Sequence, residues 1–513
     1  MEKQRPAYIE QIPQEDWEKT TASVKKLVED MGQRIEKLEQ QVRMLLEVEQ
    51  QLLEKINRTS KNSSSPPSSD PPNTPKTERK QKSGRKRGGQ KGHEGHGRSL
   101  YPVERCSSTV DHHPTTCSCC GEQLNGSDTN PYRHQIVEIP PIRPIVIEHR
   151  LHQLVCQQCG SSTRATLPTE VNPSGYGARV VATVAVLSGV YRHSQRMVQT
   201  AMRDLFDIPM SLGTVNRLRQ EASIAVKDIV DEAKQYVKKQ PVVGADETSF
   251  NQANIDGCNP EERQAWLWVA VTPVVTFFEI ALSRCSEAAR NLLGENFGGI
   301  LTSDRHGAYN WVDLSRRQLC WAHLKRDFIK ISERPGVCAP LGTQLVKQQE
   351  KLFQLWHRVR DGTLNRHEFQ ANVQDIRSSV QALLQEGADY SIGTKEKTPL
   401  AQTVRTCRQL LKVEPAMWLF VTTEDVEPTN NAAERAIRPA VIWRRTSFGT
   451  HTQAGSTFVA RMLTVVATLK SQRRDVLEFM TQAVVAARGG KPSPCLLPEV
   501  VSRSDEHDLL SAA

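Results

Sequence analysis

Residues 240–250 read QPVVGADETSF, and residues 299–310 read GILTSDRHGAYN. Each opens as a short apolar run that reaches an acid, Asp246 in the first and Asp304 in the second. Between them, residues 265–271 (AWLWVAV) and 274–282 (VVTFFEIAL) read as a hairpin turning at Thr272-Pro273, because β-branched and aromatic residues crowd both arms. Residues 286–293 have the pattern of a helix. The stretch therefore predicts the order strand, strand, strand, helix, strand.

That order is the one expected of an RNase H-like sheet, in which the first and fourth strands lie side by side and place Asp246 and Asp304 as neighbours. A third acid is expected from a later helix. Residues 430–438 (NNAAERAIR) read as a helix start, since Asn favours the N-cap and Ala and Glu propagate the turn, so Glu434 falls in the first turn or two. Three carboxylates at one place suit two Mg²⁺ or Mn²⁺ ions about 3.5–4 Å apart, an arrangement for phosphoryl transfer. Glu247 is expected to point away from Asp246 if the strand continues, as a structural group. Glu424, Asp425 and Glu427 sit in a polar loop and are poorer candidates than Glu434.

Working outward, the 513 residues carry 67 Lys+Arg against 58 Asp+Glu, a formal charge of +9. Much of the excess lies in residues 76–98 (KTERKQKSGRKRGGQKGHEGHGR), a glycine-loosened basic arm suited to a phosphate backbone, with Arg85, Lys86, Arg87, Lys91 and Arg98 as candidate contacts. Residues 57–76, rich in Ser and Pro, read as a flexible linker. Before it, apolar residues recur at spacings of three and four. One register holds Val24, Met31, Leu38, Leu45 and Leu52; the other holds Val28, Ile35, Val42 and Ile56, with Glu49 interrupting. β-Branched residues in one register and mostly Leu in the other predict a parallel two-stranded coiled coil, hence a homodimer or higher oligomer. The N-terminus shows no signal-peptide core and the longest apolar stretch is broken by Pro and Glu, so the expectation is a cytoplasmic, nucleoid-associated protein with no membrane partner.

Two knuckles, CSCCG at 117–121 and CQQCG at 156–160, predict a structural Zn²⁺ held by Cys117, Cys120, Cys156 and Cys159, with Cys119 a bystander. The Val/Ile-rich residues 132–139 and 146–155 are the expected ribbon strands. Residues 180–199 read as a helix that ends near Phe206. Residues 207–209 then turn, and Ser211 caps a second helix with Arg217 and Arg219 as candidate DNA contacts, in helix-turn-helix manner.

The segments ADETSF (245–250), SDRHGAYN (303–310), CWAHLKRDF (320–328) and NNAAERAIRP (430–439) resemble the signature blocks of insertion-sequence-66 family transposases, the large "transposase C" type, in collinear order with the arm and the ribbon. The resemblance implies a DDE transposase with Asp246, Asp304 and Glu434 as its acids. It also implies a helical insertion over about 335–420, and His323 near the scissile phosphate or leaving strand, with Lys325 and Arg326 assisting. Arg435 and Arg438, on nearby faces of the Glu434 helix, are further candidate DNA contacts. Accessory proteins of the same element are possible partners. Where the family block reads Asp-Asn-Asn, this chain has Thr429-Asn430-Asn431.

The expected class is thus multidomain α/β: coiled coil 15–57, linker 58–75, basic arm 76–100, zinc ribbon 101–170, helical DNA-binding unit 171–238, RNase H-like catalytic parts 239–334 and 426–490 around a helical insertion 335–425, and a tail 491–513. The function expected is metal-dependent cleavage of element-end DNA and 3′-hydroxyl strand transfer. A non-catalytic DNA-binding regulator, or a nuclease that does not join strands, are the alternatives that the residues leave open.

Overall fold

The computed structural model describes residues 13–63, 98–169 and 171–498. The arm residues Arg85, Lys86, Arg87 and Lys91, and most of the linker and the tail, lie outside the described residues. Near the N-terminus, α1 (Gln14–Lys19) leads into the 35-residue α2 (Ala22–Ile56). Along α2 the heptad residues Val24, Met31, Ile35, Leu38, Val42, Leu45 and Leu52 are exposed and Val28 is half-buried, an apolar stripe that the described residues leave largely uncovered.

Residues 98–169 hold one small hairpin, β1 (Gln153–Val155) antiparallel to β2 (Ser162–Arg164). The strand expected over 132–139 is not formed, and only the end of the one expected over 146–155 is. Tyr132, Ile136, Ile139, Ile145 and Val146 stand exposed, so alternation alone did not find a face to bury.

A helical unit follows: α3 (Ala178–Gly189), α4 (Gln195–Phe206), α5 (Leu212–Ala225) and α6 (Lys227–Lys238). The single helix expected over 180–199 is two, because the chain breaks after Gly189 and restarts at Ser194, whose side chain accepts from the Met197 amide at 3.2 Å. Helix α4 ends at Phe206 with Asp207 left-handed at φ 54°, and Ser211 caps α5 by accepting from the Thr214 amide at 3.1 Å.

The central sheet has five strands in the order β5-β4-β3-β6-β7: β3 (Val242–Phe250), β4 (Ala265–Val271), β5 (Thr276–Ala281), β6 (Ile300–Ser303) and β7 (Arg317–Leu319). Strands β3, β4 and β5 form an antiparallel meander, while β3–β6 and β6–β7 are parallel. The β4–β5 turn closes where Thr272 donates its amide to the Val275 carbonyl at 2.9 Å. Helix α7 (Ser286–Leu293) supplies the crossover to β6. Strand β3 does not stop at Asp246 but runs four residues further, and β7 is a strand that its length and its buried arginine hid from the sequence pattern.

After the sheet come α8 (Trp321–Ser332), α9 (Cys338–Arg360), α10 (Arg366–Asp389), α11 (Pro399–Lys412) and the short α12 (Leu419–Thr422). They share a core of their own in which the rings of Trp356, Phe369 and Phe420 meet at 5.4–6.1 Å between centroids. The chain then returns to the sheet as α13 (Asn431–Ser447), α14 (Gln453–Ser471) and α15 (Val476–Arg488). No helix among the described residues is long and apolar enough to cross a membrane.

Strand β5 is a sheet edge, and α14 covers it. The Thr464 hydroxyl accepts from the Phe278 amide at 3.0 Å, and the Thr468 hydroxyl accepts from the Thr276 amide and donates to its carbonyl, each at 3.1 Å. Both threonines are fully buried, so the edge groups have no water in reserve. Thr468→Val, of the same shape, strands an amide and a carbonyl at once. It is expected to cost about 1–3 kcal/mol of stability in denaturant unfolding, whereas Thr468→Ser is expected to retain most of it.

Candidate active site

Strand register places the first two acids. Gly244 on β3 pairs with Thr302 on β6, and Asp246 and Asp304 each lie two residues beyond that pair. They therefore stand level on adjacent parallel strands, which run about 4.8 Å apart. The Asp304 backbone is fixed by the buried Arg317 of β7, which donates to the Asp304 carbonyl at 2.9 Å and to Asn310 Oδ1 at 3.0 Å. The Asp304 side chain accepts from the His306 amide at 2.8 Å, which turns the chain sharply after the strand.

Glu434 arrives in the first turn of α13, which packs across β3 and β4. The approach is close because of Gly244: a Cβ there would lie 2.8 Å from Asn430 Oδ1. Asn430 occupies the N-cap position, yet its side chain does not cap the helix. Its carboxamide instead donates to the Ala245 carbonyl at 2.7 Å, and its amide donates to Cys320 Sγ at 3.2 Å. Helix α13 is thereby tied both to the residue before Asp246 and to the start of α8. The Trp321 amide, donating to the Pro428 carbonyl at 2.9 Å, adds a second tie.

The acids feel one another. Burial first, then the charges of Glu247, Asp304 and Glu434, push the Asp246 carboxyl well above its ordinary range. Its neighbour Glu247 points to the other side of the sheet and is enclosed. It accepts from Tyr309 Oη at 2.5 Å and from Arg284 Nε at 2.9 Å, and Arg284 also lies over the Trp266 ring. Glu247 is thus an anchored structural carboxylate, as its place on the strand suggested. Among the described residues Asp246 makes no comparable ion pair, and beyond burial it is surrounded by other acids and one backbone amide.

On α8, His323 places Nδ1 3.6 Å from Glu434 Oε1, and Arg326 Nη2 lies 3.4 Å from the same oxygen. His323 Nδ1 is buried without a hydrogen bond. Burial and, next, the Arg326 charge hold the imidazole below its usual value, which favours the neutral ring. Cys320, His323 and Glu434 offer ligand atoms within 4.8 Å of one another, the one such group of three among the described residues. Burial pushes the Cys320 thiol up to about 11. Lys325, two residues from His323, turns away to Glu350 at 3.8 Å and is not brought to the acids.

Several candidate contacts fall elsewhere. Arg435 and Arg438 are exposed on α13. Arg217 is exposed on α5, near the Tyr176 ring and donating to the Ser174 carbonyl at 3.2 Å. Arg219 corrects the expectation of a groove-facing side chain: it lies 4.3 Å over the Phe458 ring of α14, and burial lowers its pKa to about 10. Arg98 donates to the Gln135 carbonyl at 2.8 Å.

In the cysteine-rich region each knuckle is shaped by itself. The Gly121 amide returns to the Cys117 carbonyl at 3.0 Å and the Gly160 amide to the Cys156 carbonyl at 2.9 Å. The Cys117 thiol is lowered by the amides of Cys120 and Cys119, then by the Cys120 thiol. Cys159 is lowered by Ser161, then by the Cys156 thiol. No three of the four thiols share a common 4.8 Å neighbourhood, so the knuckles do not meet as one four-sulfur group here.

The sequence reading missed the roles of Asn430, Arg317 and Tyr309. The Asn430-Asn431 doublet was a signal for the first, although capping was the wrong use for it; the other two carry no local signal.

The site is thus built on a mixed sheet, with two acids level on its parallel strands and a third on a helix stapled across them. Comparison with known proteins supplies the family. Residues 174–457 match a family model described as "Transposase IS66 family", and residues 114–160 match one described as "zinc-finger binding domain of transposase IS66". The first match spans more than half of the chain, which therefore belongs to the IS66 family of transposases. Residues 9–99 match a family of unknown function. Two proteins of Sinorhizobium fredii, both described as uncharacterized, are similar. One, y4hP, is 24% identical over 70% of this chain and 68% of its own; the other, y4qI, is 24% identical over 76% and 74%.

Two expectations follow from the geometry. A raised folded-state pKa means that ionising Asp246 destabilises the cation-free chain, so stability falls as pH climbs from the ordinary carboxylate value to the raised one. Asp246→Asn should accordingly raise the melting temperature in EDTA at neutral pH, by about 2–4 °C per kcal/mol of repulsion relieved. Asn430→Ala, which unties Glu434 from β3, should lower activity at least about tenfold while the far-ultraviolet circular dichroism stays unchanged.

Proposed function

We propose that this transposase is a DDE enzyme, with an RNase H-like catalytic sheet, that cuts the ends of its element and joins the exposed 3′-hydroxyl to target DNA. What supports the reading is that Asp246 and Asp304 stand level on paired strands, and that burial first and then the charges of Glu247, Asp304 and Glu434 raise the Asp246 carboxyl. Unlike Cys320, His323 and Glu434, the three carboxylates of the triad do not themselves gather within 4.8 Å. Such a set of hard oxygen donors, poor in compensating cations, fits Mg²⁺ or Mn²⁺. Bound there, two such ions activate the attacking oxygen and stabilise the leaving one.

The residues do the rest. Asp246 and Asp304 hold their side chains level because the strands that carry them are paired, and Asn430 sets the distance of Glu434 from both. Arg326 and neutral His323, both facing Glu434, are placed to steady that carboxylate and to meet a backbone phosphate at the mouth of the site. Thr429 makes no hydrogen bond or ion pair with the three acids, so the departure from Asp at that position leaves them as they are.

Around the centre, we assign DNA contact to the arm 76–98, to Arg217 and to the exposed Arg435 and Arg438, and structural Zn²⁺ to Cys117, Cys120, Cys156 and Cys159. The donors fit zinc, since tuned thiols in two tight knuckles are the ligand set that a tetrahedral ion gathers, and gathering them would order the exposed Ile136–Val146 region. The uncovered stripe of α2 suits a second copy of the chain as its partner.

On matched end DNA with Mg²⁺, Asp246→Ala or Glu434→Ala should reduce cleavage and joining by at least about 10²–10³-fold, with DNA binding retained. Unchanged strand transfer in either variant would overturn the assignment. Because cation binding competes with protonation of the raised Asp246 carboxyl, Mn²⁺ affinity should also rise with pH above the ordinary carboxylate range in the wild type, and more weakly in Asp246→Asn.

A further inference from the structure

Beside the acids, and outside everything assigned above, lies a cavity of about 340 Å³ between α8 and α11. Its wall carries Arg305, Lys330, Arg334 and Arg405, with Asp327 as the one acid among the lining residues. Arg305, which directly follows Asp304, pairs with Asp327 at 2.6 Å and reaches Gln409 Oε1 at 3.5 Å. Arg334 is 7% exposed, and its guanidinium is oriented by Thr403 Oγ1 at 2.9 Å and Gln402 Oε1 at 2.8 Å. Arg405 donates to the carbonyls of Gly393 and Thr394 at 3.3 Å. Glu396, near enough to Arg405 to be influenced by it, is itself held by Thr398 and the Gly393 amide. Lys330 is exposed and makes no ion pair among the described residues. A concave, oriented set of four cations facing one carboxylate is the chemistry of a phosphate site.

Its position says which phosphate. His323, Arg326, Asp327 and Lys330 are spaced three and four apart, so they form one stripe of α8. The stripe starts at Glu434, where His323 and Arg326 lie, and ends in the cavity. Seven residues of helix span about 10 Å, which is the rise of about three nucleotides of a strand. We propose that the cavity is a subsite for a backbone phosphate about three nucleotides from the scissile one, so that the helices after β7 grip the DNA strand as it leaves the acids. The proposal rests on the reading of the chain as a DNA-cutting enzyme, but it is tested by binding rather than cleavage.

The test uses the full chain, end DNA and two variants that leave the fold alone. Lys330→Gln removes the exposed cation, and Gln409→Glu adds a carboxylate to the wall at an exposed, isosteric position. Both should bind end DNA about tenfold more weakly at 0.1 M salt, and Lys330→Gln should lower the slope of log affinity against log salt by about 0.9. A single methylphosphonate placed about three nucleotides from the cleavage point should weaken the wild type and leave Lys330→Gln indifferent. Unchanged affinity and slope in both variants would overturn the proposal. So would inorganic phosphate stabilising the wild type but not the variants against heat while DNA affinity stays equal, since the cavity would then hold a free anion. Loss of cleavage in every protein with these binding differences intact would fault the catalytic reading and leave the subsite standing.

Discussion

The carboxamide of Asn430 sits over Gly244 and donates to the carbonyl of Ala245, the residue before Asp246. That contact sets the distance of Glu434 from Asp246. It needs a residue without a side chain on β3, because a Cβ at 244 would collide with it. It also needs a helix whose first turn can give up its side-chain cap, because the Asn430 side chain is spent across the sheet rather than along the helix. Through the amide of the same residue, α13 is joined to Cys320 and so to α8, which brings His323 and Arg326 to Glu434. One buried polar residue thus links three elements that are far apart in sequence.

The neighbouring carboxylates 246 and 247 show what the surrounding structure decides. Glu247 is given Tyr309 and Arg284 and is locked on the inner side of the sheet. Asp246, on the other side, is given other acids. Burying a carboxylate among carboxylates is unfavourable on its own terms, and such strain in the free chain is a recognisable mark of a functional site. Neutral His323 fits the same logic, since a charged imidazole in that buried position would neutralise Glu434 in place of a cation.

Much of the sheet was legible. Hairpin and crossover helix could be read because apolar periodicity, Thr272-Pro273 and the helix over 286–293 are local signals. The level placement of Asp246 and Asp304 could be read because each follows an apolar strand, and Glu434 fell where the Asn-Ala-Glu helix start put it. The continuation of β3 through Glu247, Thr248 and Ser249 could not, because its polar residues are matched by Tyr309, Arg284 and Arg444 from distant elements. Arg219 looked like a surface cation on α5 until Phe458 of α14 was placed beneath it. The ribbon strands were over-read, since Val and Ile alternation in residues 132–155 finds no second layer among the described residues to bury against. The phosphate-like cavity had no signature at all: Arg305, Lys330, Arg334 and Arg405 meet only when α11 packs near α8.

The central claim is that Asp246, Asp304 and Glu434 form one cation site. Electron paramagnetic resonance of Mn²⁺ titrated into the full chain, with the zinc-binding thiols already loaded with Zn²⁺, reads it without reference to DNA. The account predicts binding in the wild type that weakens in Asp304→Asn as much as in Asp246→Asn and Glu434→Gln, with the double variants no weaker than their sum. Mn²⁺ binding that is untouched by Asp304→Asn would contradict it.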